Sequence, residues 1–399
     1  MSYKNIYILG VGGSGMSSIA KYLKQKGDNV IGYDQRKSYV TNLLNQDGIK
    51  VVHTLDEIMY TPESLYIYSS AIPIESENFQ DFYDKENVLS RPDYLKILSE
   101  DHKIIGITGT HGKTSTTALL SHIFHFNNLN VSYLYGGITT FNGIGGHYGD
   151  ADKPLILETD EAFNTFEKIN ISDLLVLNVD SDHLDYFKNL DNYKTAFYKV
   201  MKNVTDNLVV NNDDLNIKTM KELKNLVSYG TDISADFKVQ SSGIFIYENN
   251  KYEIKTDIIG DHFKSNMVGA IILALLNGIQ ISDSLNAIES FAGVKRRIEL
   301  IGISKGVSIY DDYGHHPTEM EATITALKEQ TKSKLYVVFQ PHRYTRTKEY
   351  FNSFKDSLKL ADYAIVTDIY PAGESPIPGL SSKNFEEESI KYLKSIRYV

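Results

Sequence analysis

Residues 104–116 read IIGITGTHGKTST, an apolar run that passes into glycines, a lysine and hydroxyls. Gly109 and Gly112 let backbone N–H groups turn inward around phosphate oxygens that side chains would otherwise block. Lys113 offers a cation for the β- and γ-phosphates, Thr114 a hydroxyl for Mg2+, and a helix starting near Lys113 would aim its positive end at the same place. Thr110, His111 and Ser115 complete the loop. The fit to G-x-x-x-x-G-K-[ST] is offset, because Ile107 holds the first position and Gly106 lies one residue early. The bland reading is a strand–turn–helix connection; Gly-Lys-Thr after a strand favours a site of the ATP type.

Magnesium takes hard oxygen ligands, usually one or two carboxylates with phosphates and water. Two apolar runs end in such groups: Glu158-Thr-Asp160-Glu161 and Asp180-Ser-Asp182-His183. Each carboxylate alone could be a solvated loop residue. Behind a phosphate loop, Glu158 and His183 become metal candidates, although imidazole is a poor magnesium ligand.

A second glycine loop, ILGVGGSGMSS at 8–18, fits G-x-G-x-x-G through Gly10, Gly12 and Gly15, with Gly13, Ser14 and Met16 beside them. Asp34 follows about twenty residues on, at the end of the next apolar run. Alone, this pattern says NAD, with Asp34 on a ribose; a structural tight turn is the competing reading. Any pyrophosphate joined to a nucleoside asks for similar chemistry. A chain with both a diphosphate grip and a triphosphate grip more naturally joins molecules than transfers hydride.

The elements that must hold these loops alternate apolar strands with helical patterns over 399 residues, which is too long for one ordinary core. Three blocks are expected: 1–98, 99–293 and 294–399. The first carries strands at NIYILG, NVIGYD and LYIYSSA, and a helix from about Met16 to Lys26. The second runs from KIIGIT through PLILETDEAF and DLLVLNVDSDHLDYF to a β-rich segment at 235–258 and a buried helix near 267–278. The third holds three strands running into polar residues: VSIYDDYGHHP, KLYVVFQPHRYTR and YAIVTDIYPAGE. In open parallel sheets, ligands sit outside the carboxyl ends of the strands, where the suspicious residues recur.

The net charge of −10 argues against a nucleic-acid partner, whose footprint would be basic. The absence of cysteine excludes disulfides, zinc–thiolate sites and a thiol nucleophile, and suits a reducing compartment. No signal-peptide pattern precedes the first loop, and MVGAIILALLNGI at 267–279 is too short to span a membrane. No membrane partner is therefore expected.

Between residues 8 and 374 the motifs GVGGSGMS, SSAI, GTHGKTST, ETDE, NVDSDHLDYF, GVKRR, DDYGHHPTE and FQPHRYTRT occur in an ordered set. In content, order and spacing the chain resembles the Mur ligase family, which builds the peptide of bacterial peptidoglycan. The resemblance implies an α/β fold of three domains: Rossmann-like, central P-loop ATPase-like, and Rossmann-like again. It implies a bacterial cytoplasmic enzyme that uses ATP and Mg2+, two ions being expected, to ligate L-alanine to the lactyl carboxylate of UDP-N-acetylmuramate. ADP and phosphate would be released after an acyl-phosphate intermediate.

Residue roles follow from the same resemblance. The first loop, Gly10 to Met16, would hold the UDP-sugar diphosphate, with Asp34, Ser69 and Ser70 towards the nucleotide. Lys113 and Thr114 would bind ATP phosphates and one Mg2+ with Glu158, and His183 would place the second ion. Arg296 and Arg297 would approach the ATP phosphates, and Asp311 or Asp312 the ribose. His315, His342, Arg343 and Arg346 would face the carboxylate and amino-acid end. For His315-His316 a solvated pair capping the helix that begins at Pro317 is the alternative, and for Arg343 and Arg346 a solvated loop.

The chain departs from the family pattern in three places. His262-Phe-Lys-Ser-Asn266 stands where the family often shows H-N-x-x-N, so Phe263 replaces one adenine contact while Asn266 is kept as another. Ala162-Phe163 replaces Ser-Asp after ETDE, and a further strand, helix and glycine turn would be expected beyond Val399. Two rivals stand beside this reading: a sister ligase that attaches a recycled tripeptide, and an NAD-binding oxidoreductase or nucleotide sensor.

Overall fold

The computed structural model describes residues 3–182, 184–241, 243–389 and 396–398. The chain divides into two compact units, Met1–Asp257 with Lys264–Val294, and Ile258–Phe263 with Lys295–Val399. The first two sequence blocks therefore share one unit, in which each nevertheless builds its own sheet.

The first sheet contains β1 (Asn5–Leu9), β2 (Val30–Tyr33), β3 (Lys50–Val52), β4 (Ser64–Tyr68) and β5 (Val88–Ser90). Their order is β3-β2-β1-β4-β5 and all pairings are parallel. Helices α1 (Ser14–Lys26), α2 (Tyr39–Gln46) and α3 (Arg91–Asp101) connect and follow them. Because β2 and β4 flank β1 on opposite sides, the strand order reverses at the end of β1, and the Gly10–Gly15 loop emerges there. Helix α1 starts at Ser14, two residues before the expected Met16, because Gly13 is extended and already serves as its N-cap.

The second sheet has ten strands in the order β15-β14-β13-β12-β11-β10-β6-β9-β7-β8. They are β6 (Ile104–Thr108), β7 (Ser132–Thr139), β8 (Gly143–His147), β9 (Leu155–Glu158), β10 (Asp173–Val176), β11 (Asn207–Asn211), β12 (Leu226–Gly230), β13 (Phe237–Ser241), β14 (Ile244–Tyr247) and β15 (Asn250–Glu253). Pairings are parallel from β13 to β7 and antiparallel at both edges. The alternating segment 235–258 thus becomes an edge meander. Central β6 is buried along its whole length, as an all-apolar run in a two-sided parallel sheet must be. Helices α4 (Lys113–Phe126), α5 (Leu184–Phe187), α6 (Leu190–Lys202), α7 (Leu215–Lys218), α8 (Asp261–Leu276) and α9 (Ile281–Ser290) complete this part of the chain. Apolar on every side, α8 is buried from Asn266 to Ala274, as expected, but begins six residues earlier.

Helix α1 lies directly against β7 and β8, and glycines make that approach possible. A Cβ on Gly146 would stand 2.0 Å from the Ser18 carbonyl oxygen, and one on Gly145 2.3 Å from the Tyr135 ring. Lys21 runs from α1 to the Asn142 carbonyl and, at 3.3 Å, to that of Ile144. Burial pushes its pKa down, opposed by Asp47.

In the second unit β16 (Glu299–Ser304) and β17 (Val307–Asp311) form an antiparallel pair, while β18 (Tyr336–Phe339), β19 (Tyr363–Val366) and β20 (Ile396–Tyr398) form a parallel sheet. The first of the three expected strands therefore pairs with its predecessor and not with the other two. Helices α10 (Pro317–Gln330), α11 (Tyr344–Glu349), α12 (Phe351–Leu358) and α13 (Lys383–Ser389) follow. Met320, Ile324, Phe339, Phe354, Val366 and Phe385 share its core. Among the described residues no helix is long and apolar enough to cross a membrane.

Gly146→Ala should lower stability by about 1–3 kcal/mol, the usual cost of overpacking, seen as a reduced urea midpoint. Gly302→Ala, where a Cβ meets nothing within 4 Å, should stay within about 0.5 kcal/mol of the parent.

Candidate active site

Between β6 and α4 the backbone turns through Gly109 at φ +145° and Gly112 at φ +84°, conformations that L side chains rarely adopt. The turn curls round the Lys113 ammonium. Lys113 Nζ donates to the carbonyls of Gly109 at 2.6 Å and Thr110 at 3.2 Å, and lies 2.9 and 2.8 Å from the two Glu161 oxygens. Its side chain is 14% exposed and that of Glu161 1%. Burial opposes the lysine charge, but Glu161 and Asp160 more than compensate, and the pKa lies well above the ordinary value.

The neighbouring hydroxyl contacts a carboxylate. Thr114 Oγ1 donates to Glu158 Oε1 at 2.8 Å, and Glu158 Oε2 accepts the Gly136 N–H at 2.6 Å. The Ser115 hydroxyl oxygen is buried without a hydrogen-bond partner among the described residues. Asn266, also buried, holds its amide nitrogen 2.5 Å from where a Cβ on Gly112 would stand. His183 lies outside the described residues.

Asn178 opens the NVDSDHLDYF motif, and nothing in its residue type or spacing singles it out. Its side chain brackets His111, accepting the His111 N–H at 2.8 Å and donating to the His111 carbonyl at 3.0 Å. Thr110 is tied to Asp180 in both directions: its hydroxyl accepts the Asp180 N–H at 2.8 Å and donates to the carbonyl at 3.1 Å. His111 Nε2 and Asp180 Oδ2 lie 3.2 Å apart. One strand end thereby holds the phosphate loop of its neighbour, which explains why Asp180 follows an apolar run so closely.

In the first loop Gly10 has φ +79°, and its N–H donates to the Tyr33 carbonyl at 2.8 Å. Gly12 N–H donates to Asp34 Oδ2 at 2.9 Å, while Asp34 Oδ1 accepts the Arg36 N–H at 3.0 Å. Asp34 is thus a clamp on the loop as well as a candidate ribose ligand. Ser69 packs where Gly10 lacks a side chain, 3.0 Å from the position of its missing Cβ, and Ser70 is exposed. Met16 is buried. A Cβ on Gly136 would meet Ser14 Oγ at 3.1 Å and Glu158 Oε2 at 3.5 Å. Ser14 of the first loop and Glu158 at the end of β9 therefore both border this one glycine.

The second unit gathers its own expected residues. Arg296 Nε lies 3.3 Å from Asp311 Oδ2, and Arg296 and Arg297 both lie over the Tyr313 ring. Asp312 is occupied by the N–H groups of Ile298 at 2.9 Å and Gly314 at 2.8 Å, which separates it from Asp311. His316 does cap α10, together with Glu319, but it is 4% exposed and not a solvated residue. His315 instead faces His342, with ring centres 5.6 Å apart. Arg343 Nε donates to Glu374 Oε1 at 2.6 Å, and Arg346 is 7% exposed, so neither is a freely solvated side chain. Burial, then His315, Arg346 and Arg343, push the His342 pKa down to about 4, against an opposing pull from Glu374.

Three family models cover the chain: Mur ligase family, catalytic domain over residues 5–101, Mur ligase middle domain over 107–274, and Mur ligase, glutamate ligase domain over 296–397. A UDP-N-acetylmuramate–L-alanine ligase of Caldicellulosiruptor saccharolyticus is 35% identical over 412 residues, 98% of this chain and 90% of that protein. One from Hydrogenobaculum is 36% identical over 398 residues, 95% of this chain and 88% of that protein. The crystal structure of UDP-N-acetylmuramate-alanine ligase from Thermotoga maritima superposes with a TM-score of 0.82 at 25% identity, covering 99% and 90% of the two chains. A murein peptide ligase from Psychrobacter arcticus shares the fold, with a TM-score of 0.71 at 22% identity over 99% and 90%.

The depressed His342 pKa gives a signed expectation. The unfolded chain takes up this proton near the ordinary value of about 6.5, the folded chain only near 4. Stability from this group is whole above about pH 6.5 and is lost as pH falls towards 4. In His342→Gln the fall in urea midpoint between pH 7 and pH 4.5 should be visibly smaller than in the parent.

Proposed function

This chain belongs to the Mur ligase family, and from that premise we propose that it ligates L-alanine to the lactyl carboxylate of UDP-N-acetylmuramate with ATP, forming ADP and phosphate for peptidoglycan precursor synthesis. The names carried by its relatives at 35% and 36% identity support the substrates. The single structural observation that carries the reading is that Ser14, from the diphosphate-type loop, and Glu158, at the end of β9 and bonded to Thr114 of the ATP-type loop, both border Gly136. A nucleotide-sugar and ATP held by those loops would be neighbours.

A carboxylate oxygen is a poor leaving group, so the acid must first be activated. The lactyl carboxylate attacks the γ-phosphorus of ATP; an O–P bond forms, the bond to the β-phosphate oxygen breaks, and ADP leaves. The L-alanine amine then attacks the acyl phosphate carbonyl, the C–N bond forms, phosphate leaves with the C–O bond, and the amine gives up a proton. No enzyme nucleophile is needed. Catalysis rests on positioning and on neutralising the charge of the transferring phosphoryl group.

The ammonium of Lys113, already held among the loop carbonyls, meets the phosphates, and the backbone N–H groups at the start of α4 face the same oxygens. Asn178 keeps His111, and so the loop, in place. A hydroxyl and a carboxylate in contact make a hard-oxygen donor set, so Thr114 and Glu158 would hold Mg2+, which supplies further neutralisation of phosphate charge when bound. His183 is our candidate for a second ion. Gly10 to Met16, with Asp34, Ser69 and Ser70, would hold the UDP-sugar; Asn266, Arg296, Arg297 and Asp311 would serve ATP. His315, His342, Arg343 and Arg346 would serve the carboxylate and amino-acid end. The working partition is three domains at 1–98, 99–293 and 294–399, in a cytoplasmic bacterial enzyme.

Phosphate release should require MgATP, UDP-N-acetylmuramate and L-alanine together. A response to L-alanyl-γ-D-glutamyl-diaminopimelate in place of L-alanine would move the assignment to a recycling ligase. Silence with every acceptor would defeat the ligase reading. Lys113→Ala should reduce ligation by at least about a hundredfold, while calorimetry should find UDP-sugar affinity within about twofold of the parent. Near-parental turnover in that variant would remove Lys113 from the mechanism. Asn178→Ala should weaken ATP by about tenfold, the worth of one or two lost hydrogen bonds, with UDP-sugar affinity unaltered.

A further inference from the structure

Arg91, the first residue of α3, lies outside every motif that identified the chain. Its guanidinium occupies the space that a side chain at position 15 would fill. A Cβ on Gly15 would stand 2.9 Å from Nε, 3.0 Å from Cζ and 3.1 Å from the second terminal nitrogen. Gly15 belongs to the first turn of α1, beside Ser14 and the diphosphate-type loop. A side chain at position 15 would therefore have to displace the flexible end of the arginine.

The arginine is poorly satisfied. A guanidinium carries five donors and cannot discharge them by losing its proton. Its side chain is 21% exposed, Nε is buried without a hydrogen-bond partner among the described residues, and the ion pair with Asp160 is loose at 3.9 Å. It lines a narrow cleft together with Gly15, Ser18, Gly136 and Glu158. The Ser18 hydroxyl is spent on the Gly15 carbonyl at 2.9 Å, and Glu158 on Thr114 and Gly136. An oxyanion entering beside Gly15 would complete the arginine's donors in the geometry that guanidinium offers phosphate.

We propose that Arg91 binds the sugar-side phosphate of the nucleotide-sugar diphosphate. The proposal rests on the ligase reading above and adds direction to it. The carboxylate to be activated is carried by the sugar and must reach ATP. The phosphate next to the sugar therefore faces the Glu158 and Asp160 side of the loop, where Arg91 stands, and the phosphate next to uridine faces away. Arg91 tells a nucleoside diphosphate from a monophosphate and fixes the direction in which the sugar leaves the first loop.

The test is calorimetry on the full chain and on Arg91→Met and Arg91→Lys, with UMP, UDP, UDP-N-acetylmuramate and a non-hydrolysable ATP analogue. Arg91→Met should bind UDP and UDP-N-acetylmuramate about ten- to a hundredfold more weakly and UMP and the ATP analogue within about twofold of the parent, with Arg91→Lys intermediate. Unchanged affinity for UDP and the UDP-sugar in both variants would overturn the proposal. So would an equal loss for UMP, or a loss confined to UDP-N-acetylmuramate, which would assign Arg91 to the sugar's carboxylate. If the parent chain binds neither UDP nor the UDP-sugar, the ligase reading itself fails and takes this one with it.

Discussion

The first unit is organised around one buried charge. Burial of the Lys113 ammonium opposes its charge, while Glu161 and Asp160 favour it and two loop carbonyls accept its hydrogen bonds. Removing either half of such a pair leaves an uncompensated charge in a buried place, which is far costlier than losing a surface ion pair. The lysine starts α4, and Glu161 stands just beyond the end of β9, where it caps the following turn. β6, β9 and β10 must therefore be adjacent, and the Asn178 and Asp180 bonds to the loop follow from the same adjacency.

Glycine contributes through the space it leaves open. Gly146 admits the backbone of α1 against β8, Gly136 admits Ser14 beside Glu158, and Gly15 admits the Arg91 guanidinium. Gly146 and Gly136 thereby allow α1 and the loop before it to lie beside Glu158 of the second sheet. Lys21 secures the contact from the side by donating to carbonyls of the β7–β8 turn, at the cost of burying an amine whose pKa is pushed down. A lysine spent on carbonyls in this way is a strut, since it has no carboxylate to pair with in that contact.

In the second unit, neighbouring residues of like type divide their labour. Asp312 is consumed by backbone N–H groups while Asp311 keeps company with Arg296; His316 caps α10 from a buried position while His315 turns towards His342. Burial, and then the neighbouring His315, Arg346 and Arg343, hold His342 neutral well below the usual histidine range. A neutral imidazole among arginines can accept a hydrogen bond without adding to their charge.

Local structure was legible in the sequence. Gly-Lys-Thr after an apolar strand marked the glycine turn into α4, alternation marked the edge strands at 235–258, and an all-apolar run marked buried α8. Those signals are short-range, because backbone conformation and burial of a segment follow from its own residue types. What the chain could not show by itself was the register of one segment against another. The pairing of β17 with β16, the bracket of Asn178 on His111, the split between Asp311 and Asp312, and the stand of Arg91 in the place of a missing Gly15 side chain all depend on contacts between segments distant in sequence or on how a loop closes. A lone arginine at the start of a helix carries no periodicity and no motif. Only the folded chain, by packing its guanidinium against a glycine 76 positions earlier, gives that residue a site.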